Sequence, residues 1–183
     1  KDEFHDFRGY AGRIAGGVFK IGDDVTVLPS GFQSKIKSIE TFNGSIYEAY
    51  APMSITLTLE DDIDISRGDM IVRPKNQPEV IQDVEMMLCW MSETPLINRG
   101  KYTLKHTSKE ARCMIKDIQY KVDINTLHRL EDDKEIKCND IAKVTLRVTQ
   151  PLFADQYKDN RSTGSVIIID EATNNTVGAG MIV

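Results

Sequence analysis

The chain is 183 residues long, 40% hydrophobic and 28% charged, and its 28 acidic against 23 basic side chains leave a formal net charge of −5. That length holds one medium domain or two small ones, and the composition is that of a globular protein and not of a disordered one. The acidic balance disfavours a surface that grips nucleic acid by neutralising phosphates, and no apolar run reaches the ~18 residues of a membrane span.

The opening residues, Lys1 to Asp6, are polar and acidic where a signal peptide would be basic and then apolar, so a cytoplasmic location is expected. The first residue is not Met and a strand-like motif follows at once, which suggests a chain cut from something longer. From Arg8 to Gly31 a glycine-rich stretch reads as a strand running into a turn over Gly17–Asp23 and returning as a second strand at Val25–Leu28. Gly16, Gly17 and Gly22 supply freedom at the reversal, Asp23 and Asp24 solvate its tip, and Val25 and Val27 alternate with Thr26 as in a half-buried strand. Lys35–Thr41, Ser54–Leu59 and Asp69–Arg73 follow as short strands, with Asn43-Gly44 as a turn signal. Ile55, Leu57 and Leu59 fall on one face and hydroxyls on the other, which suits an antiparallel strand with one side on a core.

Pro74-Lys75-Asn76-Gln77-Pro78 resists continuation of either strand or helix, and the domain boundary is placed there, between 1–76 and 77–183. Beyond it, Val84–Met91, Lys101–His106, Ile118–Val122, Ala142–Val148, Val166–Ile169 and Val177–Val183 all read as strands. Ala142, Val144, Leu146 and Val148 point inward and Pro151 should stop their strand. Asp123–Leu130 is the one segment with a helical reading, a single turn or short helix capped by Asp123 or Asn125. Short strands without intervening helices favour barrels or a sandwich, so the fold is expected to be all-β.

Gly17–Gly22 has the spacing of the start of a phosphate loop, but Asp23 and Asp24 stand where its lysine and hydroxyl belong, and two carboxylates repel a polyphosphate. Gly178-Ala179-Gly180 lacks the third glycine and the helix of a dinucleotide fingerprint, and close packing on a neighbouring domain is expected instead. The acidic runs Glu60–Asp64 and Glu131–Asp133 lack the glycine and distal glutamate of a calcium loop and read as solvated. His5, His106 and His128 have no metal-ligand spacing among themselves or with Cys89, Cys113 and Cys138, whose odd number and wide separation suit reduced, mostly buried thiols. No catalytic, cofactor or metal constellation emerges. What remains are candidate interdomain or intersubunit contacts: Asn160, Arg161, Ser162 and Thr163 in a polar loop closed by Gly164, then Arg8, Gly9 and Tyr10, and Arg67 and Asp69 flanking Gly68. In each, an arginine beside small or polar residues can present its planar fork to another surface.

The Arg8–Gly31 stretch resembles the second domain of translation-type GTPases. Phe7–Gly12, Leu57–Asp69, Asn160–Gly164 and Val177–Ile182, in that order, narrow the resemblance to the large, GTP-hydrolysing subunit of bacterial sulfate adenylyltransferase. The resemblance implies two consecutive β-barrels like domains 2 and 3 of elongation factor Tu, without the GTPase domain, since neither a GxxxxGK[ST] loop nor an Asn-Lys-x-Asp motif occurs. It also implies that GTP hydrolysis in the intact enzyme drives ATP and sulfate to adenosine 5'-phosphosulfate and pyrophosphate. GTP, ATP and Mg would then bind outside this chain, whose partners would be the small adenylyl-transferring subunit and the GTPase domain. On this reading the chain is a catalytically silent coupling and docking region. Translation-factor barrels that hold an aminoacyl-tRNA, and a free-standing binding module, are the alternative classes.

Overall fold

The computed structural model describes residues 7–183 and divides the chain into two compact units between Gln77 and Pro78. No helix occurs among the described residues.

The first unit carries β1 (Tyr10–Arg13), β2 (Val18–Lys20), β3 (Asp24–Leu28), β4 (Gln33–Thr41), β5 (Gly44–Ile46), β6 (Glu48–Tyr50), β7 (Ser54–Leu59) and β8 (Met70–Val72). A six-stranded sheet follows the path β1-β7-β4-β3-β8 with β5 paired to β4, and β2 and β6 form a separate ribbon. Together they wrap a barrel core of Val25, Val27, Ile36, Ile39, Ile55, Leu57 and Leu59. The period-two patterns of β3, β4 and β7 supply that lining, because alternate residues share one face. The expected hairpin across Gly17–Asp23 is not formed. β1 pairs with β7, β3 pairs with β4 and β8, and Val18–Lys20 is itself a strand against Glu48–Tyr50. Gly17 and Gly22, both at positive φ, turn the chain at either end of that short strand.

The second unit carries β9 (Glu79–Trp90), β10 (Lys101–His106), β11 (Lys109–Val122), β12 (Arg129–Leu130), β13 (Ile141–Ala154), β14 (Ser165–Ile169) and β15 (Thr176–Ile182). The order β10-β14-β15-β9-β13-β11 closes on itself through the β10–β11 pairing, giving a six-stranded antiparallel barrel with β12 appended to β11. Its core includes Val84, Met86, Leu88, Leu104, Ile115, Ile118, Val144, Leu146, Leu152 and Ile168, each fully or almost fully buried. Trp90 at the end of β9 meets Tyr102 at the start of β10 edge to face, with ring centroids 5.6 Å apart, and its indole N–H donates to the Thr94 carbonyl at 2.8 Å.

Two local expectations need correction, and one open alternative is decided. β13 runs through Pro151 to Ala154, because the pairing register with β9 shifts between Arg147 and Leu152, and that irregular stretch is where a residue without an N–H is tolerated. Asp123–Leu130 takes the single-turn alternative and forms no helix: Leu127 N donates to the Asp123 carbonyl at 2.7 Å, Asp123 Oδ1 accepts from the N–H groups of Asn125 and Thr126, and the segment ends in β12. Gly178 and Gly180 pack within their own barrel: a Cβ at Gly178 would lie 2.9 Å from Leu88 Cδ1, and one at Gly180 would lie 2.3 Å from Met86 Sδ.

Candidate functional site

Arg8, just ahead of β1, reaches the acidic run that follows its paired strand β7. Its guanidinium donates to Asp62 at 3.1 Å and also to Asp64, and these carboxylates, Asp64 foremost, hold the guanidinium pKa above its ordinary value. Tyr10 Oη donates to the Ile63 carbonyl at 2.5 Å between them. At Gly9 a Cβ would sit 2.5 Å from Thr56 Cγ2 and 2.7 Å from Phe7 Cε1, so the backbone passes close to β7. Arg8-Gly9-Tyr10 therefore fastens the 60–64 loop of its own unit. The rest of that loop is also engaged: Asp61 Oδ2 accepts from Ser34 Oγ at 2.8 Å.

Arg67-Gly68-Asp69 forms the turn into β8. Asp69 Oδ2 accepts from the Ser66 N–H at 2.8 Å, the Asp69 N–H donates to the Ser66 carbonyl at 3.0 Å, and Gly68 takes φ 97°. Arg67 is exposed at its tip.

Asn160–Gly164 is a turn wound around its own side chains. Asn160 Oδ1 accepts from the N–H groups of Ser162 at 2.9 Å and Thr163 at 3.3 Å, and Gly164 N donates to the Asn160 carbonyl at 2.8 Å. Thr163 is buried; its hydroxyl donates to Asp155 Oδ2 at 2.6 Å and its carbonyl oxygen lies 2.6 Å from His106 Nε2. His106 is itself buried, and burial pushes its pKa below the usual value. Gly164 is enclosed: a Cβ would come 2.4 Å from Tyr157 Cα. The exposed members are Arg161, with its guanidinium 5.9 Å from the Tyr157 ring centroid, and Ser162. Of the nine candidate contact residues, five lie in two stretches of the first unit and four in one stretch of the second.

The Gly17–Asp24 stretch does not fit a phosphate. Val18–Lys20 is already paired with β6, and Asp23 Oδ2 accepts from Lys20 N at 2.9 Å and from Arg73 Nη2 at 2.7 Å. Partial burial acts to raise the Asp23 pKa, but these donors outweigh it and hold the carboxylate below its ordinary value. Among the described residues no group of three or more His, Cys, Asp or Glu side chains is placed to hold a metal ion. Cys113 is buried, and desolvation pushes its thiol up to about 12; Cys89 and Cys138 are half-buried, and all three thiols are free.

Two surface features escape the sequence reading. An open groove of about 620 Å³ lies over β1, β7 and the end of β4, lined by Ala11, Gly12, Glu40, Thr41, Ile55 and Thr56 among others, with Phe42 fully exposed beside it at the β4–β5 turn. In the second unit Ile124 and Leu127 are 60% and 77% exposed. In both cases the signal present in the sequence is an apolar residue inside a turn whose other residues are polar.

Residues 83–183 match the family described as GTP-eEF1A C-terminal domain-like. Over 98% of its length the chain is 45% identical to the bifunctional enzyme CysN/CysC of Mycobacterium tuberculosis, covering 30% of that protein. Sulfate adenylyltransferase subunit 1 of Bacteroides thetaiotaomicron is 45% identical over 97% of the chain, and that of Sulfurovum sp. 48% identical over 97%, with 38% and 39% of those proteins covered. The chain spans a little over a third of those subunit 1 relatives. Among solved structures, Sup35 complexed with GDP superimposes with a TM-score of 0.85 at 16% identity, covering 96% of this chain and 45% of that one. Translation elongation factor SelB from Methanococcus maripaludis, in its apo form, superimposes with a TM-score of 0.74 at 19% identity, covering 94% and 38%. These two show that the all-β units share the fold of the matched parts of those structures. The chain belongs to the GTP-eEF1A C-terminal domain-like family, and over nearly its whole length it is a homologue of sulfate adenylyltransferase subunit 1.

Proposed function

We propose that this chain is the two-barrel region of a cytoplasmic, GTP-dependent sulfate adenylyltransferase and serves there as the coupling and docking body, with the catalytic chemistry placed elsewhere. The observation that carries this reading is the 45–48% identity to subunit 1 proteins over 97% of the chain. In the intact enzyme, GTP hydrolysis by a GTPase domain drives ATP and sulfate to adenosine 5'-phosphosulfate and pyrophosphate, a second subunit performs the adenylyl transfer, and GTP, ATP and Mg bind outside these residues.

Two features support a mechanical role. The second barrel is a closed antiparallel ring, an architecture suited to motion as a body. Among the candidate contact residues Arg67, Arg161 and Ser162 are exposed, and these are the points at which a neighbouring surface would be met. The test is deletion of the two barrels from the full-length subunit. Loss of GTP-dependent adenosine 5'-phosphosulfate formation, or of affinity for the second subunit, is expected; unchanged activity and affinity would overturn the reading. The isolated chain is expected to bind no GTP.

A further inference from the structure

The β4–β5 hairpin turns over Phe42 and Asn43 and holds the Asn43 main chain while leaving its side chain unemployed. Thr41 Oγ1 accepts from the Asn43 N–H at 3.3 Å and donates to the Gly44 carbonyl at 2.8 Å. The exposed Asn43 carboxamide is bonded to no described residue. Gly44 follows at φ 109°, a conformation that glycine adopts freely, and a Cβ built on it would meet no atom within 4 Å. The approach to the Asn43–Gly44 peptide bond is therefore open. Thr41 and Gly44 form the ladder pair next to the turn, and β5 pairs with β4 alone among the described strands. Opening that pair frees the Gly44 nitrogen without moving a buried side chain.

Eight asparagines occur in the chain, and Asn43 is the one followed by glycine. At the others a side chain on the next residue crowds the same approach and narrows the backbone freedom needed for it. Asn160 is further restrained, because its Oδ1 accepts from the N–H groups of Ser162 and Thr163.

We propose that Asn43-Gly44 is a self-modification site, at which the asparagine carboxamide is converted to a carboxylate with water as the co-reactant. The Gly44 nitrogen, having given its proton to hydroxide, attacks Asn43 Cγ. The N–Cγ bond forms, the Cγ–Nδ2 bond breaks, and the departing nitrogen takes a proton from water and leaves as ammonia. Water then adds to one carbonyl of the resulting cyclic succinimide, and the ring C–N bond at that carbonyl breaks. Opening at the side-chain carbonyl gives aspartate, and opening at the main-chain carbonyl gives isoaspartate. Either product adds a negative charge to a hairpin that already carries one at Glu40. The Glu40 carboxylate accepts from Ser45 Oγ at 2.5 Å and Ser38 Oγ at 2.7 Å, and these hydroxyls hold its pKa below the ordinary value. Glu40, Thr41 and Phe42 line the groove over β1 and β7, so the conversion makes that rim more acidic as the molecule ages. Isoaspartate also lengthens the main chain beside the Thr41–Gly44 pair and so displaces the exposed Phe42 ring.

The experiment holds the full-length protein, native and in urea, in neutral and mildly alkaline buffer at physiological temperature. Peptide mass mapping at intervals reads the conversion, and enzymatic methylation of isoaspartate gives a second readout. In the native protein, replacement of the amide NH2 by OH is expected at position 43 before any other asparagine, at a rate that rises with hydroxide. The converted fraction is expected to elute from an anion exchanger with the Asn43→Asp variant. Asn43→Gln, whose longer side chain would have to close a larger ring, is expected to stay unconverted over the same period and to melt as the wild type does. An Asn43 that stays intact in the native protein, whether or not the urea-unfolded chain converts, would overturn the proposal. Conversion of another asparagine ahead of Asn43 in the native protein would overturn it as well.

Discussion

His106 Nε2 lies 2.6 Å from the Thr163 carbonyl oxygen, across 57 positions of sequence, and this contact ties β10 to the Asn160–Gly164 turn. Because the ring donates to a carbonyl while buried, the neutral imidazole is the form that the fold accepts.

A pH dependence follows. Burial lowers the folded pKa of His106, with the Thr163 contact and the nearby Asp155 carboxylate opposing the shift and Lys109 adding to it. The unfolded chain therefore binds the extra proton more readily. The contribution of His106 is complete above its unfolded value near 6.5 and is lost as pH falls from there through the lower folded value. Urea unfolding is expected to show stability flat from pH 7 to 8 and declining below about 6.5. The decline should be shallower in His106→Gln. Asp23 and Asp83, whose pKa values are held below the ordinary range, act in a separate window below about 4. A wild-type curve flat down to pH 5 would remove the argument.

Glycines can be ranked by what a methyl group would meet. Gly164→Ala puts its Cβ 2.4–2.8 Å from backbone atoms of Tyr157 and Asn160, which cannot swing aside, and a loss of about 3 kcal/mol or more is expected. At Gly180 the obstruction is the Met86 thioether at 2.3 Å, the end of a flexible side chain, so the cost should be smaller. Nothing lies within 4 Å of a Cβ at Gly12, and Gly12→Ala should stay within about 0.5 kcal/mol of wild type. Thermal melts of the three variants should rank them in that order.

Tyr10→Phe removes one hydrogen bond, that to the Ile63 carbonyl at 2.5 Å, and keeps the ring. A destabilisation of about 0.5–1.5 kcal/mol is expected. Faster proteolysis within the 60–64 loop would locate the effect, and an unchanged melt would show that water replaces the tyrosine without cost.

The thiols should separate by reactivity. Cys113, buried with its pKa pushed up to about 12, is expected to stay unmodified by maleimide at pH 8 until the protein unfolds. Cys138 is half-buried, and desolvation followed by nearby Glu93 raises its pKa, so it should react slowly and faster with rising pH. Mass mapping after timed labelling reads both.

The sequence exposed those parts of the fold that a local period can carry. Ser54–Leu59 and Lys101–His106 alternate cleanly, and the strands found have those same bounds. Val18–Lys20 and Glu48–Tyr50 are too short for a period to show, and their pairing depends on each other across a long separation. Pro151 misled because tolerance of a proline is decided by the partner's register, which a single strand does not contain. The site was half legible in the same way. Asn160–Gly164 announced itself by polarity and glycine, but its partners His106 and Asp155 are identified by the closed barrel and not by the loop.

The closure of the second barrel has a consequence for synthesis on the ribosome. β15, the last of its strands in chain order, lies between β14 and β9 and supplies the final segment of the ring. Until Ile182 has cleared the exit tunnel, β9 and β14 each carry an open edge, and the small, glycine-bearing strand that fits between them has yet to arrive. A nascent chain paused before that point would be the form most exposed to edge-to-edge aggregation and to capture by chaperones.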